Sequence, residues 1–285
     1  MTIDDHAPPP PDEVDLDKPS AARIYDWYLG GDSNYAVDRE FGKKAVDKFP
    51  PIRPMARSNR NWLARVVRSA LDAGITQFLD VGSGIPTVGN VHQMVADVLG
   101  PGSGRVVYVD SEPVAAAHAR LILERAGADG WAGVVQEDLR RPQAIVDNPT
   151  TQQLLDLSQP VCVLLVSVLH FIGGADDVPG VIAGYREQLA PGSWLALSHI
   201  TVDDTTPEQA AQLEALREAY KNTQNPAWIR DSHEITAWFA GFDLVEPGLV
   251  HLTDWRPDEI SARHQLEIET DVRPFYWCAV GQKPH

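Results

Sequence analysis

The chain has 285 residues, of which 44% are hydrophobic and 22% are charged, so it can bury a sizeable core and is not disordered throughout. Its 24 Lys and Arg residues stand against 40 Asp and Glu residues, and the net charge of −16 argues against a nucleic-acid partner, whose phosphates bind clustered basic side chains. No apolar run approaches the ~18 residues of a membrane helix, and the start does not resemble a secretion signal. We therefore expect a cytoplasmic protein with no membrane partner.

The first quarter of the chain is predicted to be a tail followed by helices. Residues 1–18 contain four consecutive prolines and many acids, a composition typical of a disordered tail. The segment 19–74 is predicted to form three helices, of which the first ends at the Gly30-Gly31 break and the third at Gly74. We interpret this segment as a lid or substrate-binding region.

From residue 75 onward, short apolar runs alternate with helical patterns. Five runs separated by helices predict an α/β fold with a doubly wound, mostly parallel sheet, and run 160–168 lacks alternation, as a central strand buried on both faces does. After a helical insertion at about 203–240, two further runs predict an antiparallel hairpin at the sheet edge. The expected domain therefore spans 75–285 and contains a seven-stranded sheet.

Both cysteines, Cys162 and Cys278, fall inside apolar runs that are predicted to be core strands. Neither belongs to a CxxC motif, so we expect buried structural thiols, which suit a reducing compartment. The histidines show no HxH or HExxH spacing. The sequence therefore predicts no metal site.

A glycine turn follows the first predicted strand. The segment Asp80-Val81-Gly82-Ser83-Gly84 lies between an apolar run and a helix, so its glycines let the backbone approach a ligand while the helix start offers free N–H groups. Such a turn also occurs for structural reasons alone. Its position is nevertheless the expected one, because ligands of doubly wound sheets bind beyond the carboxyl ends of the strands.

Acidic residues follow the next two predicted strands. Asp110 ends the second strand, where a carboxylate can accept both hydroxyls of a ribose. Asp138 ends the third, where it can meet an adenine amino group while Leu139 supplies an apolar wall. Any one such acid can equally be a helix cap. Together with Asp80, however, three acids at successive strand ends indicate a pocket for an adenosine compound.

Two classes of adenosine ligand compete for this pattern. A dinucleotide fingerprint needs a third glycine and an acid about 20 residues further on, whereas this chain has Thr87 at the third position and Asp110 farther along. A carboxylate at Asp80 would repel a pyrophosphate but suits a ligand that carries an ammonium and a sulfonium. S-adenosylmethionine has both groups and no phosphate, so the details favour it over a nicotinamide cofactor.

The motifs taken together resemble a known family. FLDVGSG, VVYVDSEP, VVQEDL, VLLVSVLHF and LAPGSWLALSH resemble, in order and spacing, the motifs of class I methyltransferases. PSAARIYDWYLGGDSNYAVDRE, ARSNRNWL and FLDVGSGIPTVGNVH further resemble an actinobacterial family of S-adenosylmethionine-dependent methyltransferases with largely uncharacterised acceptors. The resemblance covers residues 19–283 and implies S-adenosylmethionine as cofactor and S-adenosylhomocysteine as product. It implies cofactor contacts at Asp80, Gly82, Gly84, Asp110, Ser111, Asp138, Leu139 and Ser167.

The N-terminal segment supplies further candidates. Aromatic residues beside the paired glycines suit a lid that closes over a sulfonium, which favours Tyr28, Gly31 and Asn34 as site residues; plain helix packing is the alternative. Arg57 and Asn59 are candidates for holding the methionine carboxylate. Five arginines of the third helix form a local basic patch that could still meet a polyanion, and the solvated face of a helix is the favoured prediction for them: Arg53, Arg57, Arg60, Arg65 and Arg68.

Methyl transfer from a sulfonium needs an in-line nucleophile more than a dedicated catalytic side chain. If the acceptor is a hydroxyl or a protonated amine, a general base helps, and His170 after the fourth strand is the candidate. His199 and the acids of 255–259 are alternative bases. The competing interpretation is that both histidines are packed residues without a catalytic role. We predict a methyltransferase for the oxygen or nitrogen of a small molecule. A catalytically inactive cofactor-binding module and a nicotinamide-dependent oxidoreductase remain alternatives, and the oligomeric state, a homodimer included, stays open.

Overall fold

The computed structural model describes residues 17–86, 89–259 and 263–285. Most of the predicted tail, and Thr87 after the glycine turn, lie outside the described residues. The described chain forms a mostly parallel sheet with helices on both faces, which is the architecture that the alternating pattern predicts.

Three helices precede the first strand, as predicted: α1 (Ala21–Leu29), α2 (Ala36–Lys48) and α3 (Ile52–Asp72). Helix α1 ends because Gly30 adopts a left-handed backbone with φ of 86°. Helix α3 buries one apolar stripe in the core on one face of the sheet, and the stripe follows the helical period that the sequence shows: Trp62, Leu63, Val66, Val67 and Ala70.

The strands form one sheet, in chain order β1 (Gln77–Val81), β2 (Arg105–Asp110), β3 (Ala132–Gln136), β4 (Cys162–Val166), β5 (Trp194–Ile200), β6 (Asp243–Leu244), β7 (Val250–His251) and β8 (Tyr276–Gln282). Strands β1 to β5 are parallel and lie in the order β3-β2-β1-β4-β5. Strand β8 pairs antiparallel with β5, β6 and β7. The doubly wound α/β sheet and its reversed terminal strands are confirmed.

The predicted sixth strand is divided into two. Its first half is β6 and its second half is β7, and the chain between them passes through Pro247 and Gly248. Proline cannot donate to a strand ladder, and Gly248 has a positive φ of 84°, so the extended run is interrupted there. The described residues therefore contain eight strands where the sequence predicted seven.

The remaining helices are α4 (Val91–Leu99), α5 (Pro113–Arg125), α6 (Pro142–Asp147), α7 (Pro149–Leu154), α8 (Val178–Gln188), α9 (Pro207–Tyr220) and α10 (Ser232–Ala237). Several begin with a side-chain oxygen that accepts an N–H of the first turn, and proline often follows that cap. The capping residues of this kind are Glu112, Asn148, Asp177, Thr206 and Asp231.

The order of the strands determines where the site lies. The chain moves outward from β1 to β2 and β3, then returns to place β4 on the other side of β1. A crevice opens outside the carboxyl ends of β1 and β4, where the two halves of the sheet diverge. Both strands are almost wholly buried, so only the residues at their ends can meet a ligand.

The prediction of a solvated face is wrong for Arg65 of α3. Arg65 is 6% exposed and donates to the backbone oxygens of Trp255 (2.8 Å) and Leu252. These bonds satisfy a guanidinium that burial would otherwise penalise. Arg68, by contrast, is exposed and pairs with Asp72, as the prediction required.

Some features that would suggest other classes of protein do not occur in the described ranges. Cys162 and Cys278 are buried free thiols in β4 and β8, as predicted. Within these ranges, no group of three or more His, Cys, Asp or Glu side chains is arranged to hold a metal ion. No helix in this part of the chain has the length and apolarity needed to cross a bilayer.

Candidate functional site

A cavity of about 390 Å³ lies at the carboxyl ends of the central strands, with walls that include residues of α1, α3 and α9. Its volume is within the usual range for small-molecule sites. The structure brings together most of the predicted site residues as lining of this one cavity: Tyr28, Asn59, Asp80, Gly82, Ser83, Gly84, Asp110, Ser111, Asp138, Leu139, Ser167 and His170.

The glycine turn forms the floor of the cavity. Gly82 and Gly84 have φ of 68° and 63°, a region that favours glycine. A Cβ on Gly82 would lie only 2.2 Å from Cγ2 of Val168. Glycine is therefore required at 82 by both its backbone conformation and its contact with the segment after β4.

Asp110 connects the glycine turn to the next helix. Its Oδ2 accepts the N–H of Gly84 at 2.8 Å, and its Oδ1 accepts the N–H of Glu112 at 2.9 Å. Burial raises the pKa of Asp110, and these backbone bonds oppose the increase. Because each carboxylate oxygen has a further lone pair, the group can still accept hydroxyls from a ligand.

Asp80, near the end of β1, is the most perturbed acid of the cavity. Its side chain is 4% exposed, and within the described residues no hydrogen-bond donor reaches its carboxylate. Burial raises the pKa of Asp80 to about 7, an increase that Arg60 opposes and Asp110 reinforces. A cationic ligand group placed here would stabilise the charged carboxylate.

Asp138 and Leu139 lie in the loop after β3. Nε of Arg140 donates to both oxygens of Asp138 at 3.0 Å, and this pairing lowers the pKa of the Asp138 carboxyl group. Tyr185 donates to the backbone oxygen of Leu139 at 2.8 Å, which fixes the loop against α8. The cavity thus has a charged edge and an apolar surface side by side at this loop.

A chain of hydrogen bonds links five separate segments, one of which contains Ser167 with a positive φ of 57°. The Ser167 hydroxyl lies 2.6 Å from that of Tyr276, and its N–H donates to Ser198 at 2.9 Å. Ser198 in turn donates to Asn59 at 2.6 Å, and Asn59 donates to Tyr25 at 3.0 Å. Asn59 therefore has a fixed orientation at the cavity, set by both strands and helices.

His170 lines the cavity in a turn after β4 and is 6% exposed. Burial, with a contribution from the positive charge of Arg230, lowers its pKa to about 3. The imidazole is neutral at physiological pH and is a weak base, so the sequence argument from a pKa near neutrality does not hold. Its Nδ1 has no hydrogen-bond partner in the described part of the chain.

His199 is a packed histidine, and Arg230 explains why. Arg230 Nη1 lies 3.0 Å from His199 Nε2, while His199 Nδ1 lies 2.8 Å from the oxygen of Ile200. Arg230 also donates to the backbone oxygens of Leu169 (3.2 Å) and Ile172 (2.6 Å), which flank His170. His199 is therefore a packed histidine, as the alternative interpretation predicted. Arg230 stabilises the turn that contains His170.

Comparison with known proteins identifies the family. A protein family described as S-adenosyl methyltransferase matches residues 7–284. The chain belongs to this S-adenosyl methyltransferase family. S-adenosylmethionine is the cofactor of this methyltransferase, as the glycine turn and the acids indicated.

Solved structures agree with this assignment. A candidate methyltransferase from Thermobifida fusca YX is 37% identical, with a TM-score of 0.83 over 97% of this chain and 99% of that one. A DUF574 family protein from Streptomyces avermitilis MA-4680 is 32% identical, with the same TM-score over 94% and 98%. An O-methyltransferase family protein from Burkholderia thailandensis shares the fold alone, at 16% identity and a TM-score of 0.51 over 86% and 70%. No protein of curated function matches the methyltransferase.

Three predicted site residues of the methyltransferase lie outside the cavity lining. Asn34 donates from Nδ2 to Asp26 (2.7 Å) and to the oxygen of Gly31 (2.9 Å), so Gly31 and Asn34 stabilise the loop between α1 and α2. Arg57 contacts the backbone oxygen of Glu267. Gly31 and Asn34 therefore serve the internal packing that was the alternative for this segment, whereas Tyr28 lines the cavity.

Sequence reasoning missed several lining residues of the methyltransferase. Arg60 and Glu112 line the cavity but were not among the predicted site residues, which included the nearby Arg57 and Asp110. Arg60 lies one helical turn after Ala56, a buried residue of the cavity lining, and directly follows Asn59. This helical spacing is the sequence signal that could have identified it. Aromatic residues of α9 and β8 also line it, and no local motif marks them.

Proposed function

We propose that this methyltransferase binds S-adenosylmethionine in the cavity and transfers its methyl group to a small-molecule acceptor by direct displacement. The observation that carries the proposal is convergence. Acids and glycines at the ends of three separate strands, together with Ser167 after a fourth, line a single cavity. Such an arrangement at the switch point of a doubly wound sheet suits an adenosine ligand.

The chemistry of the donor set fits the cofactor. Asp80 is a buried carboxylate that no donor reaches within the described residues, so it suits the ammonium of the methionine part. Arg60 lines the same cavity and can pair with the methionine carboxylate, a role for which the sequence offered Arg57 and Asn59. Asp110 would hold the ribose hydroxyls, while Asp138 and Leu139 would contact the adenine ring.

The transfer itself is a displacement at carbon. When bound, S-adenosylmethionine would supply an electrophilic methyl group: the lone pair of the acceptor would bond to the methyl carbon as the carbon–sulfur bond breaks, sulfur would keep the electron pair, and an O–H or N–H acceptor would release one proton to water. The protein's residues contribute by orienting both molecules and excluding bulk water. His170, neutral at physiological pH, accepts a hydrogen bond from the acceptor and so orients its nucleophile.

The size and charge of the protein favour a small acceptor. The cavity is about 390 Å³ and has residues of α1, α3 and α9 in its walls, which suits a small molecule. The net charge of −16 disfavours polyanions. In this proposal residues 19–74 are the lid and substrate region, and residues 75–285 are the catalytic core with the 203–240 insertion supplying one wall.

Calorimetry with S-adenosylhomocysteine tests the cofactor site. We expect saturable binding of S-adenosylhomocysteine, no comparable binding of NAD, and a loss of affinity of about tenfold or more in Asp110→Ala, because charge-assisted hydrogen bonds are lost. Glu124→Gln, an exposed acid on α5, is the matched control and should bind normally. Equal affinities of Asp110→Ala and the unchanged protein would contradict the placement, and formation of S-adenosylhomocysteine with added acceptors would demonstrate transfer.

A further inference from the structure

One side of the cavity is aromatic. Five side chains form this aromatic wall, and all line the cavity: Tyr28, His170, Phe171, Tyr220 and Tyr276. They are contiguous, since the hydroxyls of Tyr28 and Tyr220 lie 3.3 Å apart and the ring centres of Phe171 and Tyr220 lie 6.0 Å apart. His170 continues the wall, with its ring centre 4.4 Å from that of Phe171 and 6.5 Å from that of Tyr276.

The aromatic wall carries no net charge at neutral pH. Burial raises the pKa of Tyr220 to about 12 and the pKa values of Tyr28 and Tyr276 further, while burial keeps His170 neutral. The acids Asp80, Asp110 and Asp138 lie at the strand ends instead. Arg217, the charged lining residue of α9, is paired with Glu214 and Glu218 on the same helix.

The wall retains hydrogen-bonding capacity for a ligand. The 3.3 Å separation of the Tyr28 and Tyr220 hydroxyls is longer than an ordinary O–H···O bond, so a ligand hydroxyl can replace this contact with two better ones. The Tyr276 hydroxyl, by contrast, already lies 2.6 Å from Ser167. The polar group of a ligand therefore finds its partners at the Tyr28 and Tyr220 end of the wall.

We propose that the aromatic wall binds the methyl acceptor, and that this acceptor is an uncharged aromatic molecule bearing a hydroxyl group. Ring faces stack on the aromatic side chains, and the hydroxyl bonds to the Tyr28 and Tyr220 pair. An anionic or cationic acceptor would lose hydration without a counter-charge on this wall. A cation would in addition be repelled by the sulfonium of the cofactor.

This inference rests on the proposed function, because it takes the strand-end side of the cavity to be filled by the cofactor. Four ligands of similar size test it by calorimetry with protein saturated with S-adenosylhomocysteine: 2-naphthol, 2-naphthoate, 2-(aminomethyl)naphthalene and decahydro-2-naphthol. In 2-naphthoate and 2-(aminomethyl)naphthalene a charged group replaces the hydroxyl of 2-naphthol, whereas decahydro-2-naphthol keeps the hydroxyl and lacks the aromatic rings. We expect 2-naphthol to bind at least about tenfold more tightly than each of the other three.

Variants of Tyr220 locate the binding. Tyr220→Leu should lower the affinity for 2-naphthol by about tenfold, and Tyr220→Phe should lower it by less. Both variants should keep the affinity for S-adenosylhomocysteine within about twofold of that of the unchanged protein. Phe41→Leu is the matched control, because the ring centre of Phe41 lies 5.0 Å from that of Tyr220 while Phe41 lies outside the cavity lining. It should leave 2-naphthol binding unchanged.

The outcomes separate the two proposals. If S-adenosylhomocysteine binds but the charged or saturated ligands bind as tightly as 2-naphthol, the inference about the acceptor is overturned and the cofactor site stands. If 2-naphthol binds equally to Tyr220→Leu and to the unchanged protein, its site is not the aromatic wall. If S-adenosylhomocysteine does not bind, the proposed function itself fails.

Discussion

Arg23 of α1 and Glu112 at the start of α5 form an ion pair, with Nη1 of Arg23 2.8 Å from Oε1 of Glu112. The guanidinium is fully buried and also pairs with Asp38 of α2 at 2.8 Å. The N–H of Glu112 in turn donates to Asp110. Glu112 thus connects Arg23 of the N-terminal helices to Asp110, the acid that is proposed to hold the ribose.

Arg23→Met should destabilise the protein by about 3 kcal/mol or more, because two buried carboxylates would lose their common partner. Denaturant unfolding measures the change. Arg68→Met removes an exposed i,i+4 pair with Asp72 and should cost less than about 1 kcal/mol. Similar losses in the two variants would show that the Arg23 network contributes no more than a surface pair.

The affinity for S-adenosylhomocysteine should depend on pH through Asp80. Its pKa is about 7 in the free protein, and its carboxylate form is the one that attracts the ligand's ammonium. Below pH 7 the carboxyl is protonated, so affinity should fall as pH decreases from 8 to 6, approaching about tenfold per pH unit at the acidic end. Calorimetry across this range measures the slope, and Asp80→Asn should flatten it at a lower affinity. A slope that persists in Asp80→Asn would assign the dependence to another group.

The same acid should limit stability without ligand. The folded-state pKa of Asp80 is raised from 3.8 to about 7, so the folded protein holds this proton more tightly than the unfolded chain does. The resulting stabilisation is present below pH 4 and is lost as pH rises through 7. At pH 8, Asp80→Asn should therefore increase the free energy of unfolding by on the order of 4 kcal/mol. Equal stabilities of the variant and the unchanged protein at pH 8 would refute this assignment.

Arg230 should act as a positioning residue for His170. In Arg230→Met the backbone oxygens of Leu169 and Ile172 lose a donor, and the pKa of His170 should rise because a nearby positive charge is removed. The pKa stays below its usual value, since burial is the larger cause. NMR titration of the imidazole measures the shift. Arg230→Lys keeps the charge and should leave the His170 pKa nearer that of the unchanged protein; a His170 pKa that is the same in all three would exclude the role.

His170→Ala should lower turnover more than cofactor binding. The imidazole belongs to the aromatic wall, and its ring contacts are with Phe171, His199 and Tyr276, so S-adenosylhomocysteine affinity should change by less than about twofold. Turnover of an identified acceptor should fall by about tenfold or more. If turnover is unchanged, His170 is a packed residue with no part in the reaction.

Local signals predicted the strand-end side of the cavity well. Asp80, Gly82 and Asp110 each follow an apolar run directly, and a parallel sheet brings the carboxyl ends of its strands to one edge. The glycine turn could therefore be placed beside the acid of β2 without any long-range information. Asp138 lies two residues beyond β3, within reach of the same edge.

The acceptor side could not be predicted in this way. Tyr276 reaches the cavity because β8 pairs antiparallel with β5 and places it opposite Ile200, 76 positions earlier in the chain. Tyr220 ends an ordinary amphipathic helix whose apolar face gives no sign of what it covers. For Gly31 and Asn34 the aromatic and glycine-rich pattern was visible, but it stabilises a loop.

The contact between Gly82 and Val168 has a kinetic consequence. Since the turn after β1 fits against the segment after β4 with no room for a methyl group, the base of the cavity is already shaped when the chain has folded. The entropy cost of ordering that base is part of folding, so ligand association does not include it. Arrival of the nucleoside should therefore be limited by encounter, with the base itself behaving as a rigid template.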